Sequence, residues 1–324
     1  MGTPAIEVQE LSKSYVDGWF GRRKFEALKK VTFDVSRGEI FGLLGPNGAG
    51  KTTFIKVLLG IVRKSAGNAS LLGRPAGARA SRNDIGYLPE NLRIPRHHNA
   101  HSALNLYGQL SGMTSAEVKQ RQDALLESVG LASRAKDSVK KYSKGMLQRL
   151  GLAISLLHDP DVLFLDEPTD GLDPVGRSHV RNVMMELKQQ GKTIFLNSHL
   201  LQEVEMVCDR VAILHLGELR FVGTVNELTA RQLRGLELDL KLKGSPEAIR
   251  KAIGPAADQN LAPTPDGSYH IRVMLPDQVD ADQCVDRLRQ GQVSIVSLAP
   301  RRVSLEDGFI DLLNQAVVVP DVVE

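Results

Sequence analysis

The chain contains a short glycine-rich segment whose residue types suit the binding of a nucleotide's phosphates. Residues 45–52 read Gly-Pro-Asn-Gly-Ala-Gly-Lys-Thr, which is a glycine, four further residues and then Gly-Lys-Thr. Glycines let the backbone turn tightly enough for successive N–H groups to face phosphate oxygens. Lys51 would then bring a positive charge to the β- and γ-phosphates, and the Thr52 hydroxyl would bind Mg²⁺. The predicted nucleotide contacts are Gly45, Pro46, Asn47, Gly48, Ala49, Gly50, Lys51, Thr52 and Thr53.

Two adjacent acids follow a strongly apolar segment at residues 162–165. In a buried parallel strand these acids would lie at the carboxyl edge of the sheet, where α/β proteins bind ligands. Asp166 would hold Mg²⁺ through water or Thr52, and Glu167 would orient and polarise an attacking water because a carboxylate can accept its proton. The alternative is an acidic helix N-terminus placed favourably for the helix dipole. The glycine-rich segment in the same chain favours the nucleotide site.

A third segment begins a predicted helix. Residues 142–149 read Tyr-Ser-Lys-Gly-Met-Leu-Gln-Arg, and the helical pattern continues to residue 157. Ser143 is a good helix N-cap, which is a purely structural role. The free N–H groups at the start of this helix could also face a γ-phosphate. These residues alone leave both interpretations open.

The apolar pattern predicts how these segments are positioned. Near-continuous apolar runs are typical of parallel strands that are buried on both faces, and alternation of such strands with helices predicts an α/β sheet. The predicted strands are 5–11, 31–35, 40–44, 162–165 and 193–196, with a helix over 52–59. Between about residues 91 and 159 the 3.6-residue period predicts the helices 103–110, 115–129 and 144–157. We interpret this block as a helical subdomain inserted between strands.

The pattern changes after residue 225. Strands are predicted at 236–242, 269–275 and 293–298, helices at 246–253 and 281–289, and a hairpin turn at 265–267. The order β-α-β-β-α-β predicts a small α+β domain of ferredoxin-like type over residues 235–305, followed by a C-terminal tail at 306–324. Its strands alternate apolar and polar residues, so we expect a separate sheet that is buried on one face.

The amino-acid composition limits the classes of protein to which the chain can belong. The 324 residues carry a net charge of +3, with 42% hydrophobic and 24% charged side chains. These values are typical of globular proteins and exclude a disordered or collagen-like chain. At about 150 residues per domain, two domains are expected. The near-balanced charge argues against a protein that coats polyanions.

Membrane, secretion and disulfide signals are missing from the sequence. No apolar run approaches the roughly 18 residues of a membrane-spanning helix. The first ten residues lack the basic start and apolar stretch of a secretory signal. Cys208 and Cys284 lie far apart and indicate neither a disulfide framework nor a metal site. We therefore expect a cytoplasmic protein.

With these motifs in order, residues 5–225 resemble the ATP-binding subunits of ABC transporters. The family's signature is usually Leu-Ser-Gly-Gly-Gln, whereas residues 142–146 read Tyr-Ser-Lys-Gly-Met. This form is similar to the subgroup that serves ABC-2-type exporters. The resemblance implies a P-loop NTPase fold, with a RecA-like core, an antiparallel β subdomain and an inserted helical subdomain.

The resemblance also implies roles for residues of the signature segment. Ser143, Lys144 and Gly145 would contact ATP that is bound to a second subunit. Lys144 replaces the first glycine of the signature, so its charge would aid ATP capture unless the side chain is simply solvated. Glu90 stands where the family usually has a glutamine. It could still bind Mg²⁺ or water as an oxygen donor, but a carboxylate cannot donate as an amide does.

Three further residues gain roles only through the resemblance. His199 would be the switch histidine that senses the γ-phosphate. The alternative, which is more common for a histidine after a strand, is a structural residue whose ring nitrogens are hydrogen-bonded within the protein. Asp173 belongs to the D-loop at 171–173. Tyr15 would stack on adenine, with ordinary packing as the alternative.

The function implied is that of an ATP-hydrolysing subunit of an ABC-2-type exporter. It would bind ATP and Mg²⁺, dimerise head to tail with a second ATP-binding subunit, most simply a second copy, and drive a separate transmembrane permease from the inner face of the membrane. The helical block would meet that permease, and no nucleic-acid partner is expected.

The alternative is a non-transport ABC-type ATPase that acts on nucleic acid or ribosomes. It is disfavoured because the chain cannot hold two ATPase domains plus the appended domain, and it has no long coiled coil or zinc cysteines. The basic and aromatic segment 19–25 could suggest a surface for nucleic acid or anionic lipid, and a solvated loop is the favoured interpretation. A GTPase or small-molecule kinase would share only the glycine-rich loop and would leave the other motifs unexplained.

Overall fold

The apolar runs of the sequence form the centre of a six-stranded sheet. The computed structural model describes residues 3–17, 23–230, 236–254, 262–300 and 304–315. The chain divides into two compact units, Met1–Val225 and Asn226–Glu324, and each is described by itself. The strands of the first unit are β1 (Ile6–Asp17), β2 (Arg23–Val35), β3 (Ile40–Leu44), β4 (Ala66–Leu71), β5 (Arg74–Pro75), β6 (Ile85–Leu88), β7 (Val162–Asp166), β8 (Thr193–Asn197), β9 (Arg210–His215) and β10 (Glu218–Thr224).

Helices connect these strands. They are α1 (Lys51–Leu58), α2 (Arg79–Arg82), α3 (Ala100–Leu110), α4 (Ser115–Ser128), α5 (Lys144–Leu156), α6 (Pro174–Gln189) and α7 (Leu201–Val207), and α8 (Val225–Ala230) lies at the division between the units. Short 3₁₀ turns cover Ala132–Arg134 and Val139–Lys141. The predicted helices 103–110, 115–129 and 144–157 correspond to α3, α4 and α5. Capping boxes begin α3 at Asn99 and α4 at Thr114, so the start of each helix is set by local side-chain chemistry.

The larger sheet has the strand order β10-β9-β3-β8-β7-β6. The five adjacent strands β9, β3, β8, β7 and β6 run parallel to one another. The edge strand β10 is antiparallel to its neighbour β9. Every residue of β3, β7 and β8 is buried, which confirms the prediction of parallel strands covered on both faces. The carboxyl ends of these three strands therefore meet at one edge of the sheet. There Asp166 of β7 lies directly beside Asn197 of β8.

A four-stranded sheet of order β2-β1-β4-β5 forms the antiparallel part of the unit. The predicted first strand ended at residue 11, whereas β1 continues to Asp17 because its polar second half pairs with residues 23–28 of β2. Backbone pairing with a neighbouring strand thus extends β1 beyond its apolar pattern. Of the segment 19–25 that was predicted as a solvated loop, residues 19–22 lie outside the described part, and residues 23–25 instead belong to the strand β2.

Aromatic side chains join the two sheets of the first unit. Phe33 of β2 stacks on Phe41 of β3 and on Phe54 of α1, with ring centroids 5.2 and 5.3 Å apart. Phe195 of β8 contacts Phe41, Phe54 and Phe164 at centroid distances of 5.8, 5.8 and 5.3 Å. The cluster thus fixes α1, which follows the glycine-rich segment, against the parallel strands.

The second unit is a smaller sheet with two helices against it. It consists of β11 (Leu236–Lys243), α9 (Pro246–Ile253), β12 (Tyr269–Leu275), α10 (Gln278–Gln290), β13 (Ser294–Pro300) and α11 (Leu305–Gln315). The strand order is β12-β11-β13, with both neighbours of β11 antiparallel to it. Alternate residues of β11 and β12 join α9 and α10 in one apolar core.

In the second unit, one predicted strand lies partly outside the described residues and part of the predicted C-terminal tail is helical. The second strand of the expected β-α-β-β-α-β order was given no bounds; it would lie between the helix 246–253 and the turn 265–267, and residues 255–261 of that stretch lie outside the described part. Pro263 forms an isolated antiparallel bridge with Tyr269 on β12. The three described strands have the order that strands one, three and four take in a ferredoxin-like sheet. Residues 306–315, assigned to a tail, instead belong to α11, where Leu305, Phe309 and Leu312 recur at helical spacing.

The aromatic cluster generates a stability prediction. Phe195→Ala removes a fully buried ring that three others contact, so we expect the free energy of unfolding to fall by about 3–5 kcal/mol. Urea unfolding of the full chain measures it. Phe25→Ala is the control, because that ring is 60% exposed, and it should change the free energy of unfolding by no more than about 0.5 kcal/mol. Equal losses in the two variants would contradict the assignment of the core.

Candidate active site

The glycine-rich loop at residues 45–50 lies between β3 and α1, and both sheets contact it closely. A Cβ atom at Gly45, where φ is +153°, would lie 2.3 Å from the carbonyl oxygen of Leu214 on β9. A Cβ atom at Gly50, where φ is +105°, would lie 2.4 Å from the carbonyl oxygen of Ala27 on β2. Only glycine fits at these two positions. At Gly48, by contrast, a Cβ would meet nothing within 4 Å, so this part of the loop faces open space.

Lys51, the first residue of α1, is the cation of this loop. Its side chain is buried, and its Nζ donates hydrogen bonds to the carbonyl oxygens of Gly45 at 2.5 Å and Pro46 at 3.3 Å. Burial lowers the pKa of Lys51, and the charges of Glu167 and Asp166 act in the opposite direction. The ammonium therefore lies close to both acids, and its hydrogen-bond partners among the described residues are neutral carbonyl oxygens. Phosphate oxygens would be stronger partners because they are charged.

Asp166 ends β7 and is 2% exposed. Its Oδ1 accepts a hydrogen bond of 2.5 Å from Nδ2 of Asn197, the residue beside it on β8. Burial raises the pKa of the Asp166 carboxyl, and the charge of Glu90 raises it further, while the Asn197 hydrogen bond and the charge of Lys51 lower it. A buried carboxylate held by a single amide has lone pairs left to bind a cation.

Glu167 follows in a left-handed backbone conformation, with φ at +54°. Its backbone N–H donates to the carbonyl oxygen of Asn197 at 2.8 Å, so the chain turns sharply where β7 ends. Such a conformation is strained for a residue other than glycine, asparagine or aspartate, and it is typical of functional sites. Burial raises the pKa of the Glu167 carboxyl, which makes it a stronger base, and the nearby charge of His199 lowers that pKa.

His199 contacts Glu167 directly. Its Nδ1 lies 2.7 Å from Oε2 of Glu167, and its backbone N–H donates to the same oxygen at 3.3 Å. The imidazole is about half exposed, whereas the Glu167 side chain is mostly buried. The histidine thus fixes one carboxylate oxygen from the solvent side.

The oxygen donors at this edge suit Mg²⁺ that is bound together with a phosphate. The described residues contain no cluster of three His, Cys, Asp or Glu side chains that could hold a metal by themselves. Mg²⁺ commonly takes one or two carboxylates and completes its shell with water and substrate phosphates. Asp166 offers a buried carboxylate and Thr52 an exposed hydroxyl, and Glu90 is near enough for its charge to act on the Asp166 pKa.

The signature segment makes its contacts with the loop of residues 167–173, which we call the 167–173 loop. Ser143 is the N-cap of α5, and its Oγ accepts a hydrogen bond from the N–H of Met146 at 3.2 Å. Lys144 Nζ donates to Oδ2 of Asp170 at 2.6 Å. A Cβ at Gly145 would lie 2.6 Å from Cδ2 of Leu172. The Ser143 and Lys144 side chains are exposed.

Two other predicted site residues have local partners. Asp173 is the N-cap of α6, and its Oδ1 accepts from the N–H of Gly176 at 2.8 Å. Tyr15 lies on β1 and is 38% exposed as a residue, and Lys13 Nζ lies 4.7 Å from its ring centroid. These contacts give Asp173 a capping role and leave much of the Tyr15 ring open to solvent. The structure thus brings Lys51, Asp166, Glu167 and His199 together, whereas the nucleotide contacts of Tyr15 and Asp173 remain predictions.

Three residues of the site were not found from the sequence. Asn197 holds Asp166, Gln148 Nε2 donates to the carbonyl oxygen of Glu167 at 3.0 Å, and Asp170 pairs with Lys144. Asn197 could have been found by aligning the ends of adjacent parallel strands. Gln148 carried a weaker signal, because it is a polar residue on the apolar side of its helix. Asp170 lacks any signal, since its partner is 26 residues away.

A parallel α/β sheet with a phosphate loop, its lysine and two acids at the carboxyl edge defines a P-loop NTPase. The chain belongs to the family of ABC transporter ATP-binding proteins, and the family model described as "ABC transporter" matches residues 28–170. The protein accordingly binds and hydrolyses ATP. No helix in the described part of the chain is long and apolar enough to cross a lipid bilayer.

Similar proteins cover both units. An uncharacterised ABC transporter ATP-binding protein of Synechocystis is 43% identical over 315 residues, which are 96% of this chain and 85% of that protein. The Nod factor export ATP-binding protein I of Rhizobium etli is 34% identical over 313 residues, 96% of this chain and 94% of its own length. A solved structure described as the ATP binding subunit of an ABC transporter is 32% identical, with a TM-score of 0.63, and the match covers 71% of this chain and 93% of that one.

The buried Asp166 carboxylate generates a prediction about stability. Because burial raises its pKa, the ionised form costs folding free energy at neutral pH. Asp166→Asn removes that charge and offers a donor to Asn197 Oδ1, which is buried without a hydrogen-bond partner among the described residues. We expect the Tm without nucleotide to rise by about 2–4 °C, as about 1 kcal/mol would produce in a unit of this size.

The gain should shrink as the pH falls through the folded-state pKa of Asp166, because the carboxyl then becomes neutral by itself. Thermal unfolding in the presence of a chelator, at neutral pH and at about pH 5, measures both effects. Asp161→Asn, an exposed acid just before β7, is the control and should leave the Tm within about 1 °C. A lower Tm for Asp166→Asn at neutral pH would contradict the predicted cost of burial.

Proposed function

We propose that this chain is the ATP-hydrolysing subunit of an ABC-2-type exporter and that it drives a separate transmembrane permease from the cytoplasmic face of the membrane. The observation that carries the catalytic part is the contact of Glu167 with His199, beside the buried Asp166 and Lys51. The exporter assignment is supported by the signature at residues 142–146 and by the likeness to an export protein along nearly the whole chain. We propose no nucleic-acid partner.

In this proposal ATP lies along the loop of residues 45–53. The backbone N–H groups of the loop and of the first turn of α1 bind phosphate oxygens, and Gly50, the N-cap of α1, has no side chain to compete for them. Lys51 exchanges its loop carbonyls for the β- and γ-phosphates. Tyr15 stacks on adenine, for which its half-open ring is suited.

Hydrolysis depends on the two acids having different tasks. Glu167 accepts a proton from the attacking water, and burial gives its carboxylate the basicity for this. His199 holds Oε2 of Glu167, so that the other oxygen is left to orient the water, and it responds to the γ-phosphate from the exposed side. Thr52 and Asp166, with Glu90 nearby, would hold Mg²⁺, which would neutralise phosphate charge.

A second subunit completes the site. Ser143 is exposed at the start of α5, and in a head-to-tail pair of identical chains it would face the γ-phosphate of the other copy, together with the N–H of Gly145. Asp173 would lie in the same interface. ATP would then be part of the contact between subunits, and its hydrolysis would release them.

The role of Glu167 is tested by Glu167→Gln. The amide keeps the size of the side chain but cannot accept the proton, so turnover should fall by about 10²-fold or more while ATP still binds. Single-turnover hydrolysis and binding of a fluorescent ATP analogue measure the two properties. Glu186→Gln, an exposed acid on α6, is the control and should retain wild-type turnover. Wild-type turnover in Glu167→Gln would remove the residue from this role.

ATP-dependent association is tested in the inactive Glu167→Gln chain. With Mg-ATP it should sediment as a dimer, and without nucleotide mostly as a monomer, because the phosphates bridge the two copies. Ser143→Glu should abolish the ATP effect by placing a negative charge against the γ-phosphate. Ser133→Glu, at another exposed site of the helical block, should not. Sedimentation that is independent of ATP would contradict the proposed interface.

A further inference from the structure

The signature helix α5 is joined to the 167–173 loop at two points. Lys144 Nζ donates to Oδ2 of Asp170 at 2.6 Å, and Gln148 Nε2 donates to the carbonyl oxygen of Glu167 at 3.0 Å. Residues 144 and 148 are four apart on a helix, so both side chains extend from the same face. One face of α5 therefore binds the 167–173 loop at Glu167, its first residue, and at Asp170.

Two glycines allow this close approach. At Gly171, where φ is +71°, a Cβ would lie 2.5 Å from Cδ of Lys144 and 3.0 Å from its Cε. The lysine stem thus lies directly across the backbone of the loop on its way to Asp170. On the helix side, a Cβ at Gly145 would collide with Leu172 at 2.6 Å. The absence of side chains at Gly145 and Gly171 leaves the room through which Lys144 reaches its partner.

The ion pair is placed to act on geometry more than on stability. The hydrogen bond from Lys144 lowers the pKa of the Asp170 carboxyl, which favours its ionised form. The Lys144 side chain is 62% exposed and that of Asp170 39% exposed, and such surface pairs contribute little to folding. Catalysis is far more sensitive, since misplacing a reacting group by about 1 Å can cost about 10²-fold in rate.

We propose that Lys144 and Asp170 form a positioning pair, which fixes the 167–173 loop to the first turn of α5 and thereby sets the place of the Glu167 carboxylate. This inference rests on the proposed role of Glu167 as the base. It gives Lys144 a partner within its own chain instead of the ATP contact that the sequence predicts. Gln148 fixes the near end of the loop, and the ion pair fixes its far side.

A double-mutant cycle on the full-length chain tests the pair through kcat and through KM for ATP. Lys144→Ala and Asp170→Ala should each lower kcat about fivefold to tenfold and leave KM within about twofold. The double variant should be no slower than either single one, because the second change removes a contact that is already lost. Lys144→Arg should retain most activity. The exchange Lys144→Asp with Asp170→Lys should restore kcat relative to either single reversal.

The control is a surface ion pair of similar exposure elsewhere in the unit. Lys29 and Glu218 lie 3.1 Å apart, with side chains 38% and 41% exposed, and Lys29→Ala or Glu218→Ala should leave kcat unchanged. The Tm of the Lys144 and Asp170 variants should also stay close to that of the wild type. A fall in kcat that follows the loss of Tm would overturn a positioning role.

A change in KM without the paired loss of kcat would instead identify a contact between Lys144 and an ATP phosphate. If Lys144 binds ATP, Lys144→Ala raises KM, Asp170→Ala leaves kcat unchanged and the charge exchange restores nothing, and any of these results overturns the inference. Additive losses in the double variant do so as well. The proposed function fails separately, because its test is the turnover of Glu167→Gln. An inactive Glu167→Gln together with additive losses at residues 144 and 170 would overturn only the positioning pair.

Discussion

Placing charge at the buried edge of a parallel sheet is the constraint on which the first unit depends. Asp166 is almost wholly buried, Lys51 nearly so, and burial shifts the pKa of each toward its neutral form. Each charge is therefore held at a cost, and the cost is limited because the two have opposite signs and lie near each other. Polyphosphate and a divalent cation carry the charges that complete such an arrangement. The electrostatic free energy of this edge is thus least favourable without a ligand and most favourable when nucleotide and cation are bound.

The surrounding structure holds these groups in place. Three fully buried strands end at this edge, and the aromatic cluster fixes α1 against them, so Lys51 has little freedom to move toward solvent. Asn197 holds Asp166, and His199 and Gln148 hold Glu167 by its side chain and by its carbonyl oxygen. The side chains of Asp166 and Glu167 therefore each have a neighbour that fixes their orientation.

The sequence predicted the parts of the fold in which local pattern and tertiary burial agree. The apolar runs of β3, β7 and β8 and the helix α9 were placed almost to the residue, because each is surrounded on all sides or bounded by strong caps. The second half of β1 was missed because it is polar and exists through pairing with β2. The helix α11 was missed although its apolar residues recur at helical spacing, because Gly308 near its start lowers the helical propensity.

The same limit applies to the site. Lys51, Asp166 and Glu167 could be proposed as site residues because their motifs are local in sequence. The Lys144–Asp170 contact joins two segments that are brought together only by the fold. A lysine or an aspartate in the sequence does not indicate which residue will be its partner. The resemblance implied an ATP contact for Lys144, with a solvated side chain as the alternative, whereas in the structure its Nζ donates to the Asp170 carboxylate of the same chain.

The tight fit of the glycine-rich loop between the two sheets has an energetic consequence for ligand binding. The carbonyl groups of Leu214 and Ala27 contact the loop at Gly45 and Gly50, one from each sheet, so its backbone is already ordered when the protein folds. The conformational entropy of fixing these residues is lost during folding and need not be lost again when the nucleotide arrives. Discrimination between ATP and ADP then depends on the interactions of the terminal phosphate, since the rest of the cradle is preorganised for both.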